Sequence, residues 1–309
     1  MSDSQGTYFI PEPSRWPIVA TLVLFLSFVG GATMLNGLHA INSGLESSRF
    51  GLGLFVLGLG FGGIIYMFSG WFGDVIGESL KGRYNNQVDV SFRWGMSWFI
   101  FSEVMFFAAF FGALFYARQL SVPWLGGEGA KYMTHDVLWP AFESIWPLMS
   151  TPDATLEGIQ SAFVQIKEVI PAWGVPAVNT IILLSSGGTV TFAHWALKKG
   201  NRPGLCWWLA ATVVLGFLFV FLQAMEYAHA YHELGLTLKS GIYGSTFFML
   251  TGFHGFHVTM GAIMLSVILG RSISGHFSEH NHFAFEAVAW YWHFVDVVWL
   301  GLFIFVYWL

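Results

Sequence analysis

Seven long apolar runs fill most of the chain, at residues 17–38, 51–72, 94–117, 177–197, 204–227, 244–270 and 283–308. A helix that crosses the hydrocarbon core of a bilayer, about 30 Å thick, needs about 20 mostly apolar residues rising about 1.5 Å each. Every run meets that length. Helices are required rather than strands, because backbone groups in lipid must be satisfied within each segment. A membrane β-barrel would instead show alternating segments of about 10 residues. Charged residues make up 10% of the 309 and hydrophobic residues 55%; an ordinary soluble domain carries about 25% charge. The expected class is therefore an all-α integral membrane protein of seven transmembrane helices.

The polar residues give the topology. No cleavable signal peptide is expected, since the first 15 residues are polar and the first apolar run is longer than a signal's apolar region. With the N-terminus inside, eight of the 13 Lys and Arg fall on the inner side: Arg15, Lys81, Arg83, Arg93, Lys198, Lys199, Arg202 and Arg271. The other five are Arg49, Arg118, Lys131, Lys167 and Lys239, three of them in or beside the long loop 119–176, where such counts matter less. N-terminus inside and C-terminus outside follows. A net charge of −5 without a basic stripe excludes nucleic acid as a partner. The single cysteine, Cys206, excludes an intrachain disulfide and cysteine-rich metal sites.

Along the chain, Gly58-x-x-x-Gly62 in the second run offers a bare face for close helix approach. A polar hinge over 73–93 separates a two-helix bundle (17–72) from a five-helix bundle (94–309), within one membrane domain covering 1–309. Loop 119–176 is the one large extramembrane piece. In it, Ser150-Thr-Pro-Asp153 resembles a helix start, and Leu156, Ile159, Phe163 and Ile166 recur at helical spacing. A short amphipathic helix is expected there.

Ionisable residues inside apolar runs are the places to ask about function. Glu103 lies mid-run, about 15 Å along a helix from Arg93; an ionised carboxylate at that depth is costly, so it is expected to be protonated or paired. His254 and His257 share one helical face, where interhelical hydrogen bonding is favoured over metal binding. His293 and Asp296 are also three apart and can pair within their helix, with Glu286 further toward the helix start. Glu226, Gln223, Tyr227, His229 and His232 are expected at the membrane interface. His276, His280 and His282 lack regular ligand spacing and are expected as solvated loop residues. No nucleophile–base pair, phosphate cradle or dinucleotide fingerprint is present. The residues alone thus describe a polytopic protein with an internal polar thread and no self-contained catalytic centre.

Several stretches resemble subunit III of the haem–copper cytochrome c oxidases. The strongest are residues 243–258, Tyr-Gly-Ser-Thr-Phe-Phe-Met-Leu-Thr-Gly-Phe-His-Gly-Phe-His-Val, and residues 282–300, His-Phe-Ala-Phe-Glu-Ala-Val-Ala-Trp-Tyr-Trp-His-Phe-Val-Asp-Val-Val-Trp-Leu. Residues 102–107 (Ser-Glu-Val-Met-Phe-Phe), 71–79, Asn179-Thr180 and Ala193-His194 add to the match. The resemblance implies helices 1–2 and 3–7 as two bundles with a lipid-holding cleft between them. It implies a non-catalytic subunit of a complex that carries electrons from cytochrome c to O₂ and pumps protons. It implies no metal in this chain, haem a and copper in partner subunits I and II, and bound phospholipids. Glu103 matches the family's carbodiimide-reactive carboxylate, and Glu78 and Arg271 resemble lipid headgroup contacts. The expected location is a bacterial plasma membrane, with the mitochondrial inner membrane as the alternative. A secondary transporter is the main rival, but it should show inverted repeats, and none is evident.

Overall fold

The structure, a computed structural model, describes residues 9–10, 13–45, 48–155 and 163–309. Its described residues form helices, turns and loops without a strand. The helices are α1 (Trp16–Asn42), α2 (Arg49–Leu80), α3 (Asn86–Tyr116), the short α4 (Val122–Leu125) and α5 (Tyr132–Leu138), then α6 (Val175–Lys198), α7 (Arg202–His229), α8 (Gly241–Ile273) and α9 (Phe283–Leu302). Wider π-type turns continue α3, α7 and α9 at Ala117–Ser121, Ala230–Leu234 and Phe303–Trp308. Seven of these helices are long and apolar enough to cross a bilayer. Their outward side chains are largely apolar: Ile18, Phe28, Ile65, Trp207 and Val214 all stand exposed. Such a surface suits lipid and not water.

Every spanning helix but α9 runs past its apolar run. Polar residues at the aqueous end do not break a backbone that can hydrogen-bond to itself. The polar stretch 73–93 is accordingly no hinge through most of its length. Residues 73–80 complete α2, residues 86–93 begin α3, and only 81–85 lie outside helix. Gly82 makes that turn with φ +68°, a left-handed conformation that glycine adopts without strain.

The chain divides into two compact units, residues 1–92 and 93–309. In the first, α1 and α2 pair along a seven-residue repeat. Trp16, Val23, Gly30 and Gly37 are the buried residues of α1; Gly53, Gly60 and Met67 are those of α2. A Cβ added at Gly30 or Gly53 would run into the backbone of Leu57 or Met34. The helices therefore touch backbone to backbone, as small residues permit in membranes. Gly58 and Gly62 have open space around them among the described residues and lie off the face that meets α1. Spacing of four was the wrong template here, because two long helices wrapped together meet every 3.5 residues. At one end of the pair, Trp16 Nε1 donates to Asp74 Oδ2 at 2.7 Å.

The second unit centres on α9. Trp292 and Trp299 are fully buried, so the aromatic run of this helix is core rather than lipid-facing at these two positions. Trp292 Nε1 donates to Ser186 Oγ at 2.9 Å, and Trp299 Nε1 to Thr180 Oγ1 at 2.9 Å, which fixes α9 against α6. The Trp292 ring fits a socket made by Gly216 of α7 and Gly261 of α8; a Cβ at either would meet the ring at 2.7 or 2.8 Å. Arg202, at the start of α7, donates through Nε to Ser272 O at 3.1 Å and also bonds Ile273 O, covering carbonyls that end α8.

The amphipathic helix expected after Asp153 is corrected in part. Residues 152–155 make a 3₁₀ turn, and Leu156 and Ile159 lie outside the described residues. Phe163 and Ile166 are not helical. Val164 N and Lys167 N instead donate to Lys239 O and Leu234 O, both at 2.9 Å, so this segment binds a neighbouring loop through its backbone.

Candidate functional site

The polar thread inside the second unit resolves into separate clusters, each held by α8 or α9. Glu103 of α3 meets His257 of α8: Oε2 and Nε2 lie 2.9 Å apart. His257 Nδ1 lies 2.6 Å from the Phe253 carbonyl oxygen, which can only accept, so Nδ1 carries a hydrogen. Nε2 of a neutral ring is then an acceptor. The approach to Glu103 is a hydrogen bond only if one proton lies between the two atoms, as a carboxyl donating to imidazole or an imidazolium donating to carboxylate. The pair is surrounded by Phe106, Phe107, Phe294 and Tyr291, whose rings stand 5.1–6.5 Å from that of His257. His254, on the same helical face, takes another partner. It is fully buried, and its Nε2 donates to the Val295 carbonyl of α9 at 3.0 Å. Only His257 of the two therefore reaches Glu103.

His293 and Asp296 sit together on α9 with Nδ1 and Oδ2 3.4 Å apart. Asp296 is buried while the His293 side chain is 46% exposed, its Nε2 3.4 Å from Thr191 Oγ1. The close pass of α6 is possible because residue 187 is glycine: a Cβ there would collide with Asp296 Oδ2.

Four residues meet where α9 begins. Glu286 Oε2 pairs with Arg93 Nη1 of α3 at 2.5 Å. Its other oxygen, Oε1, lies 3.3 Å from His194 Nε2 of α6 and 3.3 Å from His282 Nε2. The His282 side chain is only 9% exposed, so it is not a solvated loop histidine. Its partner Glu286 follows one turn later, and helix geometry turns both inward together. His194, His282 and Glu286 bring three possible ligand atoms within 4.8 Å of one another. Sequence reasoning passed over this cluster because its members come from three separate segments. The Glu286–His282 spacing of four was the one local signal.

A further network closes the opposite end of the unit. Glu226, near the end of α7, is buried, and its Oε1 accepts from Tyr307 Oη at 2.7 Å and from Gln223 Nε2 at 3.1 Å. Burial follows from Tyr307, which arrives from a helix end 81 residues later.

Glu78 and Arg271 occupy different units. Tyr84 Oη donates to Glu78 Oε2 at 2.8 Å, and burial, then that carboxylate, holds the Tyr84 phenol above its ordinary pKa. The Arg271 guanidinium lies over the Phe277 ring, 4.5 Å from its centroid.

Comparison with known proteins gives one answer over the whole length. The family model described as cytochrome c oxidase subunit III matches residues 6–140 and 130–309. Cytochrome c oxidase subunit 3 of Prototheca wickerhamii is 41% identical over 303 residues, covering 97% of this chain and 96% of the relative. The subunit of the same name in Arabidopsis thaliana is 39% identical, covering 100% and 98%. That of Carassius auratus is 37% identical, covering 100% and 99%.

Proposed function

Because the chain belongs to the cytochrome c oxidase subunit III family, we propose that it is a non-catalytic core subunit of a cytochrome c oxidase complex. One observation carries this reading: similarity to curated subunits extends from end to end of both chains, including the spans that hold Glu103, His257, His293 and Asp296. On this reading haem a and copper reside in subunits I and II, where they pass electrons from cytochrome c to O₂. This chain supports subunit I and sustains its proton uptake.

The part played by its own residues is structural and proton-holding. Glu103 and His257 share one proton, held as a carboxyl donating to a neutral imidazole. The neutral form is favoured in the aromatic, low-dielectric setting around the pair, where separated charges would have to be desolvated. Glu78 and Arg271 contact phospholipid headgroups; a guanidinium suits phosphate because it can offer two parallel hydrogen bonds. Orientation is N-terminus inside and C-terminus outside, following the distribution of Lys and Arg. The membrane is a bacterial plasma membrane, with the mitochondrial inner membrane as the alternative.

The test is co-purification. The chain, tagged and extracted from its native membrane in mild detergent, should bring down a large haem a-containing partner and oxidise reduced cytochrome c. Isolation as a lone chain, or with a haem spectrum of its own, would overturn the proposal.

A further inference from the structure

The cluster where α9 begins has a defect that a proton alone repairs poorly. His282 Nδ1 lies 3.0 Å from the Ser278 carbonyl oxygen, so Nδ1 carries the hydrogen and donates. In a neutral ring, Nε2 is left with a lone pair, and it faces a carboxylate oxygen of Glu286. His194 Nε2 is buried, has no hydrogen-bond partner among the described residues and faces the same oxygen. Two imidazole nitrogens and a carboxylate oxygen, each able to ligate a cation, thus converge within 4.8 Å of one another.

The distances discriminate between the possible occupants. A charge-assisted N–H···O bond is about 2.7–2.9 Å, whereas both histidine-to-carboxylate separations here are 3.3 Å. Tetrahedral ligands, each about 2.0–2.1 Å from a zinc ion, lie roughly 3.3–3.4 Å from one another. The surroundings also have the form of a metal site. A histidine ligand usually donates its second ring nitrogen to a backbone carbonyl, as His282 does, and a ligating carboxylate is held by a further partner, as Arg93 holds Glu286.

We propose that His194 Nε2, His282 Nε2 and Glu286 Oε1 form a binding site for a divalent transition-metal cation of the zinc type, with water completing the tetrahedron. The donor set selects the ion. Two imidazoles and one carboxylate suit zinc, whereas calcium and magnesium require six or more ligands, mainly oxygen. Arg93 offsets the charge of the carboxylate, so affinity rests on the imidazoles rather than on net negative charge. A bound ion ties the last turns of α6 to the first turn of α9. The site is independent of the oxidase assignment, since all its ligands belong to this chain.

The experiment uses the full chain in lipid nanodiscs at pH 8, titrated with Zn²⁺ alone and in the presence of excess Mg²⁺. One Zn²⁺ should bind per chain, with X-ray absorption showing two imidazole nitrogens in its ligand shell. His282→Ala and His194→Ala should each weaken that binding at least tenfold, and neither removes the Arg93–Glu286 ion pair. Mg²⁺ should not compete. Zinc binding unchanged in both variants would refute the site, as would wild-type protein that takes up no zinc. Should a variant fail to fold, the wild-type absorption spectrum still decides, because a shell without imidazole excludes these ligands.

Discussion

Glu103 can be tested with a pair of substitutions that differ in one capability. In Glu103→Gln the amide can still donate to His257 Nε2. In Glu103→Leu it cannot, and the ring acceptor, fixed by the 2.6 Å bond from Nδ1 to Phe253 O, loses its partner. An unsatisfied buried acceptor costs about 1–3 kcal/mol. The two side chains are 9% and 20% exposed, so a little solvent reaches the site and the lower part of that range, ~1–2 kcal/mol, is expected. At about 1.4 kcal/mol per decade, this is roughly a 5–30-fold loss in the folded-to-unfolded ratio for Leu, against less than about 0.5 kcal/mol for Gln. Denaturant titration in bicelles, with both variants side by side, measures the difference. Infrared difference spectroscopy reports the proton directly: a carboxylic acid C=O band should be present in the wild type and absent in Glu103→Gln. Oxygen reduction by the assembled complex should stay near normal in Glu103→Gln. Equal stability of Leu and Gln would refute the hydrogen-bond argument. Loss of a carboxylate band in place of a carboxyl band would refute the neutral form, and collapse of turnover in an intact complex would refute the non-catalytic role.

Two further substitutions test the packing. Gly53→Ala places a methyl group against the backbone of Met34 and should destabilise the α1–α2 pair by about 1–3 kcal/mol, while Gly58→Ala, with nothing within 4 Å, should stay within about 0.5 kcal/mol; hydrogen exchange across the two helices compares them. Arg93→Ala should raise exchange at the start of α9 by removing the partner of Glu286, at about 1–3 kcal/mol rather than the ~3–5 of a fully buried pair, because the Arg93 side chain is 36% exposed. Arg93→Lys should recover part of the loss.

What could be read from sequence follows the range of the forces involved. A bilayer imposes a length and a composition on each segment separately, so all seven spans were visible as runs, and their ends were blurred only where polar residues extend a helix into the aqueous layer. Glu103 was visible as a cost without a visible partner, since His257 lies 154 residues away. His194 and His282 looked ordinary one at a time. Their meaning comes from a carboxylate that helix geometry and an arginine bring between them. The glycine contact was present as a pattern, with Gly30 and Gly37 on one helix and Gly53 and Gly60 on the next. Gly58 and Gly62, spaced by four, carry the same small-residue pattern, and spacing alone does not reveal which face meets the partner helix.

The two histidine–carboxylate clusters share one construction and differ in one distance. In both, a ring Nδ1 is committed to a backbone carbonyl, so Nε2 of a neutral ring faces the acid as an acceptor. At Glu103 a single ring stands 2.9 Å away, the length of a hydrogen bond that one proton completes. At Glu286 two rings stand 3.3 Å from one oxygen, while Arg93 has already taken the other. A single proton between His282 and Glu286 leaves the buried Nε2 of His194 without a hydrogen-bond partner among the described residues. A cation at the centre satisfies all three donors at once. Substituting the partner should therefore separate the clusters: Glu103→Gln keeps its hydrogen bond through the amide, but Glu286→Gln replaces one of three ligands by a weaker one and should weaken Zn²⁺ binding without abolishing it.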